Sequence, residues 1–226
     1  MDFSNLGILT LESLGMTIIS TILAYLVGLP IGILLNITSK NGLKPNKYIN
    51  SIVGAIVNIL RSIPCLIIVV ILFPIVRGLF GRGSGVWYTM LIPLFIASFG
   101  FVSRMVEQSL SEVPHGEIEA VKSLGATNTQ IIFKVLIPEA KSSLLLGLAV
   151  VMVSILGYTS FAYNTGAGGL ISGIWQYYSR NTGTYFQSWY FWTLIIIVII
   201  IVQVIQEIGL YLAKKIDKRR IIQWKD

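Results

Sequence analysis

Long runs of apolar residues constrain this chain more than any other feature. Several of them reach or exceed the roughly 18 to 20 residues that an α-helix needs to cross the hydrocarbon core of a bilayer. The chain is 54% hydrophobic and only 12% charged, which is unlike an ordinary soluble domain. We therefore predict an all-α polytopic membrane protein that forms one domain over residues 1–226. Its five transmembrane helices are expected at about residues 14–37, 48–76, 88–110, 142–163 and 190–214.

The positive charges predict the orientation of these spans. Lys and Arg total 17 against 10 Asp and Glu, which gives a net charge of +7. Most of them lie in the loop after the first span, in the polar segment before the fourth span, and in the C-terminal tail. With the N-terminus outside and the C-terminus inside, all three groups face the cytoplasm, as the positive-inside rule requires. The charge therefore needs no nucleic-acid partner. The basic tail is predicted to contact anionic lipid through Lys214, Lys215, Lys218, Arg219, Arg220 and Lys225.

The longest polar-rich interval between the apolar runs predicts two short helices around a glycine. Gly125 permits the positive φ that ends a helix sharply. Thr127 precedes a glutamine by three residues, which is the pattern of a capping box at the start of a new helix. Pro138 is predicted to end that second helix, because proline lacks an N–H and clashes with the preceding turn. We call residues 115–138 the knob and expect it on the cytoplasmic side.

The knob resembles a motif of the integral-membrane subunits of ATP-binding-cassette (ABC) importers. That motif has the form EAA, three residues, G, nine residues, then I-x-L-P. Here Glu119, Ala120, Val121 and Gly125 are followed by nine residues and then by the segment 135–138. Where the chain departs from the motif, apolar residues replace apolar ones. The resemblance implies that the knob docks in a groove of an ATPase subunit, and a surface hairpin without a partner is the alternative. The implied coupling residues are Glu117, Glu119, Ala120, Val121, Leu124, Gly125, Ala126, Val135 and Pro138.

Further segments resemble the methionine-type branch of these permeases, most strongly residues 61–64, 102–138 and 166–170. The resemblance implies a homodimer that pairs with two copies of a separate ABC ATPase. It also implies that an extracellular substrate-binding lipoprotein delivers methionine, a small amino-acid substrate. Residues 157–165 depart from the small-residue pattern expected there. Related amino acids and methionine derivatives therefore remain alternatives.

The sequence predicts no catalytic residue, no metal site and no cofactor in this chain. It lacks the glycine-rich Walker A sequence that cradles ATP phosphates. Hydrolysis is therefore assigned to the partner ATPase, which would bind ATP and Mg. His115 and Cys65 are the single histidine and cysteine, and neither has ligand partners nearby in the sequence.

Polar residues inside two of the spans are candidates for the substrate path. Arg61 at membrane depth costs a few kcal/mol unless it faces protein or water, and Pro64 breaks the helix ladder just after it. A plain structural kink is the alternative there. In the fourth span the alternative is that hydroxyls bond the carbonyl one turn back and that tyrosines mark the membrane interface. The predicted path residues are Asn58, Arg61, Ser154, Tyr158, Ser160 and Tyr163.

The largest external segment is predicted at residues 164–189. It opens with a glycine-rich stretch at residues 166–170 and ends in a run of tyrosine and tryptophan. Residues 171–178 are expected to form a short interfacial helix that suits contact with the delivery protein.

Two other functions are possible for a membrane bundle of this size. An ion-coupled secondary carrier usually buries ionisable residues near the bilayer midplane and contains internal repeats. Here the acidic residues cluster at the span ends or in the knob, and the sequence has no evident inverted repeat. A non-transporting membrane scaffold has no need of a glycine-hinged knob. The sequence therefore favours the ATP-driven importer over both.

Overall fold

The computed structural model describes residues 3–81 and 85–217, and every regular element in these ranges is helical. The all-α class predicted from the sequence is therefore confirmed. The α-helices are α1 (Phe3–Thr38), α2 (Lys47–Ser62), α3 (Cys65–Phe80), α4 (Leu91–Ser111), α5 (His115–Ser123), α6 (Asn128–Ile131), α7 (Ile137–Glu139), α8 (Lys141–Tyr158), α9 (Leu170–Arg180) and α10 (Trp189–Ile216). The shorter elements are 3₁₀ turns at Trp87–Met90, Thr159–Thr165 and Tyr185–Gln187 and a π-helical turn at Ile132–Leu136.

Four helical segments in the described ranges are long and apolar enough to cross a bilayer. They are Asn5–Thr38, Trp87–Ser111, Lys141–Thr165 and Trp189–Ile216. Helices α2 and α3 meet the same criterion only as a pair, and they are bent by 97° at the break between them. The expected second span is thus a broken helix, which brings the number of spans to five if the pair counts as one. The side of the membrane on which each end lies stays a prediction.

The break between α2 and α3 follows from Pro64. A proline pushes the residue before it out of the helical region of φ and ψ. Ile63 accordingly ends α2 with φ −82° and ψ 120°, and Pro64 itself has φ −55° and ψ 138°. Because α2 carries several polar residues while α3 is almost entirely apolar, the break divides the span into a polar half and an apolar half.

Helix α4 lies at the centre of the bundle and contacts α1, α2, α3 and α8. Its contact with α1 is close because α1 presents glycines there. A Cβ atom on Gly28 would lie 2.7 Å from Val102 Cγ1, and a Cβ atom on Gly32 would lie 2.6 Å from Val106 Cβ. Glycines four residues apart are a common way to bring two membrane helices together. In this protein they allow α1 to pack directly on α4.

The remaining helices complete the bundle around α8. Helix α10 packs along α8 and against α9. A second, smaller core joins α9 and α10 to the start of α1 through Leu6, Leu170, Tyr190 and Leu194. The outer faces of α1, α3 and α10 expose isoleucine, leucine and valine, which suits contact with lipid tails.

The helix ends agree with the predicted spans within a few residues, except at the N-terminus. Helix α1 begins at Phe3 rather than near residue 14, and its 36 residues make it about 54 Å long. That length exceeds the roughly 30 Å of hydrocarbon, so the first turns of α1 extend beyond it. At the other end of the chain, four residues of the predicted lipid-binding tail lie outside the described residues: Lys218, Arg219, Arg220 and Lys225.

Replacement of Gly32 by alanine tests the contact between α1 and α4. In a helix interior this exchange normally stabilises by about 1 kcal/mol, because alanine has the higher helix propensity. At Gly32 the new methyl group would meet Val106 Cβ and the Ser103 carbonyl oxygen at 2.6 Å. We therefore expect the opposite sign, with a Tm several degrees below that of the wild type in detergent.

Gly78→Ala in α3 is the matched control, since no described atom lies within 4 Å of its Cβ position. It should leave Tm unchanged or raise it. A Gly32→Ala variant as stable as the Gly78→Ala variant contradicts the proposed close approach.

Candidate functional site

The first helix of the knob, α5, ends in a Schellman motif at Gly125. The Ala126 N–H donates to the Val121 carbonyl at 3.3 Å, and the Gly125 N–H donates to the Lys122 carbonyl at 3.0 Å. Gly125 has φ +84°, a left-handed value that glycine adopts without strain. The sharp turn predicted at this glycine is confirmed.

The second helix of the knob begins with the predicted capping box. The Gln130 N–H donates to Thr127 Oγ1 at 3.3 Å, and the Thr127 N–H donates to Gln130 Oε1 at 2.8 Å. Two backbone donors at the new helix end are thereby satisfied. Together with the turn at Gly125, this box fixes how the two short helices are joined.

The prediction that Pro138 ends the second helix is wrong. The chain stays helical to Glu139, and only Ala140 separates it from α8. A π-helical turn at Ile132–Leu136 precedes the proline, and the N–H of Ile137 donates to the carbonyl five residues back. The wider turn accommodates a residue that has no N–H and a bulky ring, so the helix continues past it.

The inner side of the knob shares one apolar core with the membrane bundle. Ile131 and Leu136 of the knob are buried in the same cluster as Leu110 and Val113, which lie at and just after the end of α4. Five half-buried residues of the knob pack against this cluster: Ile118, Val121, Ala126, Ile132 and Ile137. Because close-packed interiors transmit strain, a displacement of the knob must also move the end of α4.

The opposite side of the knob is exposed. Leu124, beside the turn at Gly125, has 86% of its surface exposed, and Phe133 has 64%. Three of the predicted coupling residues are half-buried: Val121, Ala126 and Val135. Two of them, Val121 and Ala126, pack against the bundle core. The exposed ones, called the coupling surface below, are Glu117, Glu119, Ala120, Leu124, Gly125 and Pro138.

Two predicted path residues, Asn58 and Arg61, lie in the last turns of α2 in different surroundings. Arg104 of α4 donates to Asn58 Oδ1 and to the Gly54 carbonyl, both at 3.2 Å. It also forms an ion pair with Glu107 at 2.6 Å. Asn58 therefore helps to hold α2 on α4. Arg61, in contrast, is exposed and has no hydrogen bond or ion pair with a residue that the structure describes.

The other four predicted path residues lie on α8 and on the 3₁₀ turn that follows it. The Ser154 hydroxyl donates to the carbonyl one turn back at 2.8 Å, as the structural alternative for this span expects. Tyr158 packs against the main core, and Ser160 is half-buried. Tyr163 stacks on Trp175 of α9, with 6.1 Å between the ring centres. The two groups of path residues thus lie on separate helices, α2 and α8, which both pack on α4. The path itself stays a prediction.

A capping interaction that sequence reasoning missed holds the start of α9. Glu12 Oε2 accepts from the Gly169 N–H at 2.9 Å, and Ser13 Oγ accepts from the Leu170 N–H at 2.8 Å. These N–H groups belong to the N-cap residue and to the first residue of α9, so α1 supplies the cap of a helix that lies 157 residues further along the chain. The short helix expected in the 164–189 segment is confirmed. The one sequence signal for the cap of α9 was Glu12, an acidic residue in a mostly apolar stretch.

Aromatic contacts join α9 to the start of α10. Trp175 packs on Tyr178 with 5.7 Å between ring centres, and Tyr178 packs on Tyr185 at 4.8 Å. Tyr185 in turn contacts Phe191 at 5.2 Å. The segment predicted as the largest external loop is thus a packed helical unit with aromatic side chains at its surface.

A bundle of apolar helices with an exposed, core-packed knob at one end defines a multi-pass membrane protein of the transport class. The chain belongs to the family described as "Binding-protein-dependent transport system inner membrane component", which matches residues 28–218. That range includes the knob, both halves of the broken span and all of α10. The protein is therefore a component of the cell membrane.

Two curated relatives illustrate the similarity. The probable D-methionine transport system permease protein MetI of Pasteurella multocida is 36% identical over 213 residues, which are 94% of this chain and 96% of the relative. The methionine import system permease protein MetP of Bacillus subtilis is 41% identical over 188 residues, 82% of each chain. Both relatives are thus matched over most of their length.

Solved structures agree with this assignment. A chain of the MetNI methionine ABC transporter in an inward-facing conformation matches with a TM-score of 0.87 at 34% identity, over 95% of this chain and 97% of its own. A chain of an amino acid ABC transporter crystallised with histidines matches with a TM-score of 0.68 at 21% identity, over 93% and 92%. The second match supports the fold alone.

Thr127→Ala tests whether the capping box maintains the second helix of the knob. Loss of an N-cap residue costs about 1 kcal/mol. Local opening should therefore become roughly fivefold more frequent. We expect amide hydrogens of residues 130–132, whose N–H groups are bonded in this helix, to exchange faster by that factor in hydrogen-exchange mass spectrometry, while the exchange of the membrane helices is unchanged.

Ser123→Ala is the control. It removes a hydroxyl from the same exposed region, but that hydroxyl bonds only the Glu119 carbonyl of its own helix. Equal exchange in the two variants would show that the capping box has no such role.

Proposed function

We propose that this chain is the membrane-spanning permease subunit of an ATP-driven importer that moves methionine or a related amino acid into the cell. Two copies of the chain form the substrate path. Each copy seats its coupling surface, on the cytoplasmic side, in one of two ABC ATPase subunits. An extracellular substrate-binding lipoprotein delivers the amino acid. The chain itself has no catalytic role, because ATP and Mg bind to the ATPase subunits, where hydrolysis takes place.

The observation that carries this proposal is the two-sided construction of the knob. Ile131 and Leu136 anchor its inner side in the bundle core. Its outer side presents Leu124, which is almost fully exposed, and Glu119 is exposed as well. Burial of a leucine side chain in a partner's groove contributes roughly 1.5 to 3 kcal/mol. A knob that served only its own fold would gain by burying that leucine within the chain.

Movement passes from the ATPase to the spans through the knob. ATP closes the two ATPase subunits on each other and displaces the coupling surface of each permease copy. The core around Leu110 and Val113 passes this displacement to α4, and Ala140 joins the knob to α8. Since α4 contacts four other helices, its displacement reorients the bundle between inward and outward openings.

Methionine is the favoured cargo because the relatives are named for it. The Pasteurella multocida and Bacillus subtilis proteins both carry methionine in their names, and both are matched over more than four fifths of their length. Residues 157–165, which depart from the expected small-residue pattern, keep related amino acids and methionine derivatives as alternatives.

Leu124→Ser tests the coupling surface. The permease is purified with its own ATPase and reconstituted in liposomes with the binding protein. Loss of the leucine should weaken ATPase association by about tenfold and lower ATP-dependent methionine uptake accordingly. Association is measured by titration of the ATPase onto the permease, and uptake is measured with radiolabelled methionine.

Leu79→Ser is the matched control, because Leu79 is also exposed, at 66%, but lies on α3. It should bind the ATPase as the wild type does. If Leu124→Ser also retains normal association and uptake, the knob is not the docking element.

The same liposomes separate the proposed function from its alternatives. An ion-coupled secondary carrier would take up the amino acid with an ion gradient and without ATP. A non-transporting scaffold would show no uptake under either condition. Membership in a binding-protein-dependent transport family favours neither alternative.

A further inference from the structure

Helix α2 has two exposed faces of opposite character. One is apolar and carries Tyr48, Ile49, Ile52, Ile56 and Ile59. The other is polar and carries Ser51, Asn58, Arg61 and Ser62. At about 100° per residue, the apolar set covers roughly 100° of the helix circumference and the polar set lies on the other side, where the buried Gly54 and Val57 contact the bundle. The apolar face suits lipid or another apolar surface, whereas the polar face requires water or polar partners.

Arg61 lies at a position where an unpaired charge is costly. It is in the last turn of α2, about 20 Å along the axis from the start of that helix. The apolar helix α3 follows directly after the break. An arginine in the middle of the hydrocarbon costs roughly 2.5 to 3.5 kcal/mol. Arg61 therefore faces water or a binding partner rather than lipid tails.

The described part of the chain supplies no partner for this charge. Glu107 faces α2 from α4, but its carboxylate is bound to Arg104 at 2.6 Å. Asn58, one turn before Arg61, already accepts from Arg104 at 3.2 Å. Two arginines near the same helix thus differ in kind: Arg104 is satisfied within the fold, while Arg61 keeps its donors free.

The stem of Arg61 is positioned although its charged group is free. Its Cγ packs so close to Gly100 of α4 that a Cβ atom on that glycine would be 3.3 Å away. Pro64 ends α2 immediately afterwards, so no further turn of this helix covers the side chain. The guanidinium is therefore presented at the 97° bend between α2 and α3.

We propose that Arg61 binds the carboxylate of the amino-acid cargo as it passes the bend between α2 and α3. A guanidinium is planar and matches a carboxylate through two parallel N–H···O bonds. Every free amino acid carries this carboxylate, so the contact serves methionine and related cargo alike. Because Arg61 is exposed, water screens the contact and allows release, which passage through a transport path requires. This inference rests on the proposed function.

Charge restoration on a cysteine variant tests the role of Arg61. Cys65 is the single cysteine and is buried, so Cys65→Ala gives a background without thiols in the permease. In this background, Arg61→Cys should lower ATP-dependent methionine uptake about tenfold in liposomes that contain the ATPase and the binding protein. Treatment with the cationic thiol reagent MTSET, which returns the positive charge but no N–H donor, should restore part of the uptake. The neutral reagent MMTS should restore none.

Three further measurements distinguish a binding role from a structural one. The Arg61→Cys variant should keep the Tm of the background, and excess methionine should slow its modification by MTSET. Arg77→Cys, at an exposed arginine in the last turn of α3, is the control and should transport normally with and without either reagent.

Several outcomes overturn the proposal. Equal recovery with the cationic and neutral reagents would show that the charge is not required. Failure of the water-soluble MTSET to react would show that position 61 faces lipid or is covered by the second copy. If MTSET modified the Arg61→Cys variant but left its uptake unchanged, the result would assign the guanidinium to another anion, such as a lipid phosphate. A wild-type complex that lacks ATP-driven uptake altogether overturns the proposed function as well, whereas the other outcomes leave it intact.

Discussion

The buried contact that joins Ile131 and Leu136 of the knob to Leu110 and Val113 of the bundle is the interaction on which the rest of the structure depends. Without it, residues 115–138 would be a polar hairpin attached to the membrane helices only through its two ends. With it, the hairpin and the end of α4 form one close-packed body that shifts as a unit rather than deforming gradually. The position of α4 at the centre of the bundle extends that body to α1, α2, α3 and α8.

The features that could be predicted from the sequence are those decided by residues close together in the chain. The turn at Gly125 and the capping box at Thr127 each depend on six residues or fewer, and both are present. The broken second span follows from its excess length and from Pro64. Pro138 shows the limit of this local reasoning. The rule that proline ends a helix assumes α-helical geometry in the preceding turn, and here that turn is π-helical.

The parts of the candidate site that escaped prediction depend on contacts between distant segments. No local pattern connects Glu12 with the N–H of Gly169, because the fold brings together residues 157 positions apart. The contact of Arg104 with Asn58 is similar, since it joins α4 to α2 and turns a residue predicted to line the path into part of a helix–helix contact. The predicted substrate path is more difficult still, because its two groups of residues lie on different helices, α2 and α8, which each pack on α4. A path between two copies would be determined by the surfaces that meet, and the periodicity of apolar residues in a sequence does not identify those surfaces.

Hydrogen-bond satisfaction therefore distinguishes structural polar residues of the spans from candidate functional ones better than polarity alone does. The Ser154 hydroxyl bonds its own helix, and Arg104 uses its donors to tie α2 to α4. Such residues meet the requirement that polar groups within a membrane find partners inside the protein. Arg61 does not meet this requirement within the described chain, although it lies on the same helix as Asn58. Helix α2 can be tied to its neighbour and still leave one charge free, because Arg104 fixes the helix on α4 while Pro64 ends it just after Arg61. A helix that is held firmly and then broken can present an unsatisfied charge at one fixed place, which a continuous apolar span cannot do.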